Sequence, residues 1–178
     1  MNTQLFGLLA DYNAQQNRQV YAAAAQLCQP ELVADRGAFF GSIVGTLNHI
    51  YVADTIWLQR FACHPARFDA LQPLANRPRP EALDLEVTAE LAELDKLRRA
   101  LDDVVCRFVA ALTPEDLNHN LAFEDMRGRP FCKSFPALLL HFFNHQTHHR
   151  GQVGTLLMQR DIDVGVTDLL DSIPALSR

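Results

Sequence analysis

A chain of 178 residues that is 48% apolar is long enough to bury one sizeable core without disulfides or a structural metal, so one domain spanning residues 1–178 is the expectation. Its 21 acidic and 16 basic residues leave a net charge of −5, with Arg and Lys scattered, and that excludes the basic field expected of a nucleic-acid-binding protein. The longest apolar runs, such as Phe135 to Leu140, are too short to span a bilayer.

Four cysteines, Cys28, Cys63, Cys106 and Cys132, form no C-x-x-C pair, which rules out a zinc knuckle or thioredoxin-like motif. The N-terminus lacks the basic, apolar and small-residue pattern of an export signal. Free, mostly buried thiols and a cytoplasmic location are therefore expected.

In chain order, helical periodicity predicts a first segment from about Thr3 to Cys28, with Leu5, Leu8, Leu9, Tyr12, Val20 and Leu27 at helical spacing and a stop at Pro30. A second runs from about Gly37 to Cys63. The stretch from Pro65 to Pro80, with Pro73 and Pro78 inside it, reads as an exposed connection. A third segment, Leu85 to Leu112, is amphipathic. Between Thr113 and Ser134 the helical pattern breaks, and apolar Leu121-Ala122-Phe123 and Pro130-Phe131 flank the turn-prone Met126-Arg127-Gly128-Arg129, as in a short hairpin or an irregular loop. A fourth segment starts near Ser134, tolerates Pro136 in its first turn and runs to about Arg160. A last short helix covers Thr167 to Ser172. Long helices of similar length predict an all-α four-helix bundle.

Four of the seven histidines fall in His141-Phe142-Phe143-Asn144-His145-Gln146-Thr147-His148-His149, within the fourth segment. Residues four apart on a helix share a face, so His145 and His149 could grip one ion, and so could His141 and His145. The helical wheel separates the pairs. At about 100° per residue, His145 and His149 fall with Leu138, Phe142, Val153 and Leu156 in a stripe roughly 80° wide that must face the interior. His141 and His148 lie on its flank, at the mouth of a pocket or outside the ligands. A buried neutral imidazole leaves a polar nitrogen to satisfy, at about 1–3 kcal/mol if unpaired, and a shared metal removes that cost. His49 is the best-placed third ligand, because Ser42, Thr46, His49, Ala53 and Ile56 share one side of the second segment and the small residues leave room. A lone histidine on an apolar face is more often a hydrogen-bonded core residue; the pair on one helix favours metal. His64 and His119 read as solvated. The glutamate of an H-E-x-x-H protease is missing.

Phe39-Phe40-Gly41-Ser42-Ile43-Val44-Gly45-Thr46-Leu47-Asn48-His49-Ile50 with Ala53, Asp54 and Trp57, and above all Asn144-His145-Gln146-Thr147-His148-His149-Arg150-Gly151-Gln152, resemble the second and fourth helices of the DinB/YfiT-like family. Asp11-Tyr12-Asn13 with Asn17, Gly128 and Thr167-Asp168-Leu169-Leu170 also fit it. The resemblance covers nearly the whole chain. It implies a four-helix bundle, often a homodimer, holding a divalent metal on three histidines, which correspond to His49, His145 and His149. Some relatives are metal-dependent transferases or isomerases that use low-molecular-weight thiols, and others have no known activity.

Three neutral imidazoles leave a metal an open position, the ligand count of a catalytic site. The expected chemistry is transfer or hydrolysis on a small substrate, with water or a low-molecular-weight thiol activated at the metal. Imidazole-only coordination suits several ions, with zinc or nickel expected first and iron or manganese after them. Asn13, Tyr12 and Gln152 are candidates for orienting water or substrate. Arg150 is expected to anchor a partner helix or the loop near Asp125, and Gly151 to allow close helix approach. The rival reading is a non-catalytic, stress-related dimer whose metal staples two helices and has a fourth protein ligand.

Overall fold

The computed structural model describes residues 3–175. It is mostly helical, with four long helices, α1 (Thr3–Ala24), α3 (Ile43–Phe61), α5 (Leu91–Ala110) and α6 (Phe135–Met158), and two short ones, α2 (Gln29–Val33) and α4 (Gln72–Ala75). One antiparallel hairpin, β1 (Asn120–Glu124) with β2 (Pro130–Ser134), pairs Leu121 with Lys133 and Phe123 with Phe131. The fold is thus not purely α: the hairpin forms where the helical period fails, with Gly128 at φ +74° in its turn, a backbone region open to glycine. The expected last helix is a single 3-10 turn, Leu169–Ser172.

Helix boundaries follow local chemistry. Ser42 caps α3, its side chain accepting from the Gly45 N–H at 2.9 Å, which satisfies one of the donors left free at a helix start. Pro136 sits in the first turn of α6. Pro30 ends no element; it begins α2, because the first turn needs no N–H from it. The third segment starts later than its periodicity suggests, at Leu91. Asn48 on α3 takes the preceding strand of chain, accepting from the Val87 N–H at 2.8 Å and donating to the Thr88 carbonyl at 2.9 Å, so those backbone groups are satisfied outside a helix. Nor is the proline-rich connection simply exposed. Phe68, Leu71 and Leu74 are buried, and Gln59 donates to the Leu74 and Arg77 carbonyls at 3.1 Å.

Helix α1 packs on α5 and α6, and α3 packs on α6 and α5. Two apolar clusters fill the space between them. One gathers Phe61, Phe108, Phe135 and Phe142; the other gathers Val20, Ile43, Leu47, Leu94, Val153 and Leu157. On every long helix buried polar residues lie at or near the boundary between the two clusters: Asn13 and Asn17 on α1, Asp54 on α3, Arg98 and Asp102 on α5, Gln146 and Arg150 on α6. Arg98 bridges Asp54 at 2.6 Å and Asp102 at 2.9 Å. Asn17 donates to both Asp102 oxygens at 2.9 and 3.1 Å, and Arg150 donates to the side-chain oxygens of Asn13 and Asn17. Two arginines thus face two aspartates. Burial raises the Asp54 carboxyl to about 7 against the pull of Arg98. Burial alone would lower the Arg98 guanidinium, but the two carboxylates outweigh it and hold it above its ordinary value.

All four cysteines are free, but only Cys106 is even half-buried, and Cys28, Cys63 and Cys132 are exposed. Cys28 and Cys63 lie in the turns after α1 and α3, and Cys132 on the exposed hairpin strand β2. Among the described residues no helix is long and apolar enough to cross a membrane.

Candidate metal centre

Helices α3 and α6 bring His49, His145 and His149 together, as the helical wheel predicts. The three Nε2 atoms form a near-equilateral triangle, His49 to His145 at 3.3 Å, His49 to His149 at 3.2 Å and His145 to His149 at 3.2 Å. Nitrogens held at about 2.0–2.1 Å by a tetrahedral ion stand about 3.3 Å apart. This group could therefore hold a metal ion.

The outer ring nitrogens decide what the inner ones can do. His49 Nδ1 lies 2.8 Å from the Leu83 carbonyl oxygen, which can only accept, so Nδ1 carries the proton and Nε2 presents a lone pair. His149 Nδ1 lies 2.7 Å from Gln152 Oε1, with the same consequence. Two lone pairs facing each other at 3.2 Å repel, and a proton on His145 Nε2 could serve only one of them at a time. A cation between the three satisfies all of them. The imidazoles are suited to it, because burial lowers the basicity of His49 and His149 and, with the neighbouring imidazoles, pushes His145 down to about 3. All three are neutral at pH 7. His145 Nδ1 is buried without a partner.

Phe40 closes one side of the triangle. Its ring stacks on His49 with centroids 3.7 Å apart. The turn that presents it depends on Gly41 at φ +72° and on Gly45, where a Cβ would collide with the Phe40 carbonyl oxygen. The other side opens into a cavity of about 500 Å³ whose wall includes His49, His145, Ala53, Ile56 and His141. His141 thus lies at the mouth of the cavity, its ring 5.1 Å from that of Trp57, while His148 is exposed.

The remaining sequence candidates divide. Gln152 meets His149 directly. Asn13 is held by Arg150 in the buried polar layer. Tyr12 donates to the Thr167 carbonyl at 2.5 Å and borders a different cavity, which none of the three histidines lines. Arg150 reaches α1 and not the hairpin loop, where Asp125 is engaged by Arg129. Gly151 serves no close approach, since a Cβ there would meet nothing within 4 Å. His64 is not solvated; it is 1% exposed between Phe68 and Phe135, its Nδ1 accepting from the Ala66 N–H at 3.1 Å. Leu83 was missed, because a backbone carbonyl carries no signature in sequence. So were Asp54, Arg98 and Asp102, whose signal was charge at the interior face of an apolar helix.

A curated relative, Protein DinB of Bacillus subtilis (strain 168), is 27% identical over 161 residues, covering 90% of this chain and 88% of its own. No solved structure gives a significant match. The DinB family model matches residues 1–173, and with its three-histidine cluster in place the chain belongs to the DinB family.

Proposed function

We propose that this protein is a metal-dependent enzyme that uses His49, His145 and His149 as ligands to one divalent ion and carries out transfer or hydrolysis on a small substrate with water or a low-molecular-weight thiol as nucleophile. The observation that carries the reading is the convergence of three Nε2 atoms at 3.2–3.3 Å, two of them fixed as bare acceptors by their outer hydrogen bonds. Zinc or nickel is the expected ion for three imidazoles, ahead of iron or manganese. An ion held this way lowers the pKa of a bound water or thiol toward neutrality and polarises an electrophile. The Leu83 carbonyl and Gln152 hold two of the rings in register, Phe40 keeps solvent off one face, and the cavity beside His49 and His145 admits the substrate. That cavity favours catalysis over a structural staple. Among the described residues the ligand group has three members, and a staple would close its coordination with a fourth. The reading takes the chain as one four-helix-bundle domain, supported by the span of the family match, acting in the cytoplasm as a homodimer.

Metal analysis of untagged protein, followed by cobalt substitution, tests it. One ion per chain is expected. It should be lost in His49→Ala, His145→Ala or His149→Ala and largely kept in His141→Ala and His148→Ala. The cobalt spectrum should change with pH and with added azide or thiol, and a spectrum indifferent to all three would replace the enzyme with the staple.

A further inference from the structure

The cavity beside the histidines continues along α3, past Ile56 and Trp57, to Arg60. Arg60 is 6% exposed, with its guanidinium carbon 4.6 Å from the Trp57 ring centre and 5.0 Å from that of Phe123. It donates to the Glu124 carbonyl at 2.8 Å, and its buried Nε has no partner. Among the described residues no carboxylate pairs with it. Asp125, the acid in the cavity wall, is bound instead by Arg129, at 2.7 Å through both Nε and Nη2. The wall therefore sets Arg60, Arg127 and Arg129 against one aspartate, within a protein whose net charge is −5. Burial and the positive charge of Arg79 lower the Arg60 guanidinium below its ordinary value, against the smaller pull of Asp125. A desolvated guanidinium whose Nε meets no acceptor is costly unless an anion meets it.

The geometry points to an anion subsite on Arg60 that takes the carboxylate of an elongated organic acid whose other end reaches the three histidines. It rests on the metal-centred reading above for the role of that other end. Arg60 lies eleven residues beyond His49, about 16 Å of axial rise on a helix, and both side chains lean back toward the helix start, the longer arginine the further. Acid and reacting group are therefore separated by on the order of 10 Å. The side chains of Ala53, Ile56 and Trp57 between them suit an apolar body. A carboxylate matches one planar guanidinium edge, whereas a phosphate dianion, more strongly hydrated, would need more donors than this apolar sandwich offers.

Trp57 is the single tryptophan of the chain, so its emission reports on the subsite independently of turnover. Zinc-loaded wild-type protein is titrated with 4-phenylbutyrate, with its neutral amide and with inorganic phosphate. The carboxylate should bind at least about tenfold more tightly than the amide, as a charge-assisted pair requires, and more tightly than phosphate. Arg60→Gln should erase the carboxylate preference, and Arg60→Lys, which keeps the charge and an extended chain should Gln unfold the site, should keep part of it. The preference should survive in metal-free protein. Equal binding of acid and amide, tighter binding of phosphate, an undiminished preference in Arg60→Gln, or loss of the preference on metal removal would each overturn the assignment. A protein that takes up no metal but still discriminates acid from amide through Arg60 would defeat the metal-centred reading and leave the subsite standing.

Discussion

Gln152 offers the sharpest test of how the site is held, because its one hydrogen bond to the cluster is to His149, one of the three proposed ligands. Gln152 Oε1 stands 2.7 Å from His149 Nδ1, fixing the proton there and turning the Nε2 lone pair toward His49. It also raises the basicity of the ring against the burial that lowers it. Removing such a partner commonly weakens metal affinity 10- to 100-fold, about 1.4–2.7 kcal/mol. His149 is 9% exposed and Gln152 is half-buried, so water can partly replace the lost acceptor, and the lower end, about tenfold, is the expected loss for Gln152→Leu. Gln152→Glu keeps the acceptor and adds charge, so it should bind metal at least as tightly as wild type. Competition against a chromogenic chelator at pH 7.5 gives both constants, with circular dichroism confirming an unchanged fold. An unchanged affinity in Gln152→Leu, or an equal loss in Gln152→Glu, would show that this contact does not orient His149.

Two further outcomes follow from buried charge. Asp54→Asn should leave Arg98, 1% exposed, short of one carboxylate and cost about 3–5 kcal/mol of stability; urea unfolding at pH 8, where the Asp54 carboxyl is ionised, checks it, and a loss below about 1 kcal/mol would show the pair to be dispensable. Metal-free protein should lose stability on acidification, because His145 drops from 6.5 in the open chain to about 3 when folded. The unfolded chain then binds the extra proton between those values, so stability is full above about 6.5 and declines as pH falls toward 3. Chelator-treated protein unfolded in urea across that range should show the decline, and His145→Ala should make it shallower, His49 and His149 keeping the rest.

The three-histidine cluster was legible because each helix that carries it shows its interior face in its own periodicity. His145 and His149 share a face by their four-residue spacing, and His49 shares one with small neighbours that leave room beside it, so the helical faces and that room selected the trio. The long helices were legible for the same reason. Illegible were the features set by tertiary partners. Periodicity extended the third helix back to Leu85, but Asn48 captures Val87 and Thr88 first. His64 looked like a loop residue beside a proline, yet Phe68 and Phe135 enclose it. The Leu83 carbonyl that sets the His49 tautomer belongs to a backbone group that any residue would supply.

The polar layer explains why the three histidines meet where they do. Gln146 and Arg150 follow His145 and His149 by one residue each, so they point about 100° further round α6, away from α3. Arg150 is held by Asn13 and Asn17 of α1, Asn17 by Asp102 of α5, and Asp102 shares Arg98 with Asp54 of α3. Asp54 lies five residues beyond His49. The chain of bonds thus leaves α6 beside His145 and His149 and returns to α3 near His49, passing through the other two long helices. A rotation of α6 that moved His145 and His149 off His49 would strand the Arg150 guanidinium among apolar side chains, at the several kcal/mol that breaking a buried polar pair costs. Apolar contacts tolerate such a rotation far better, since they are not directional. The layer therefore fixes the angular register of α3 and α6, and Asn13, which touches none of the three histidines, belongs to that layer through Arg150.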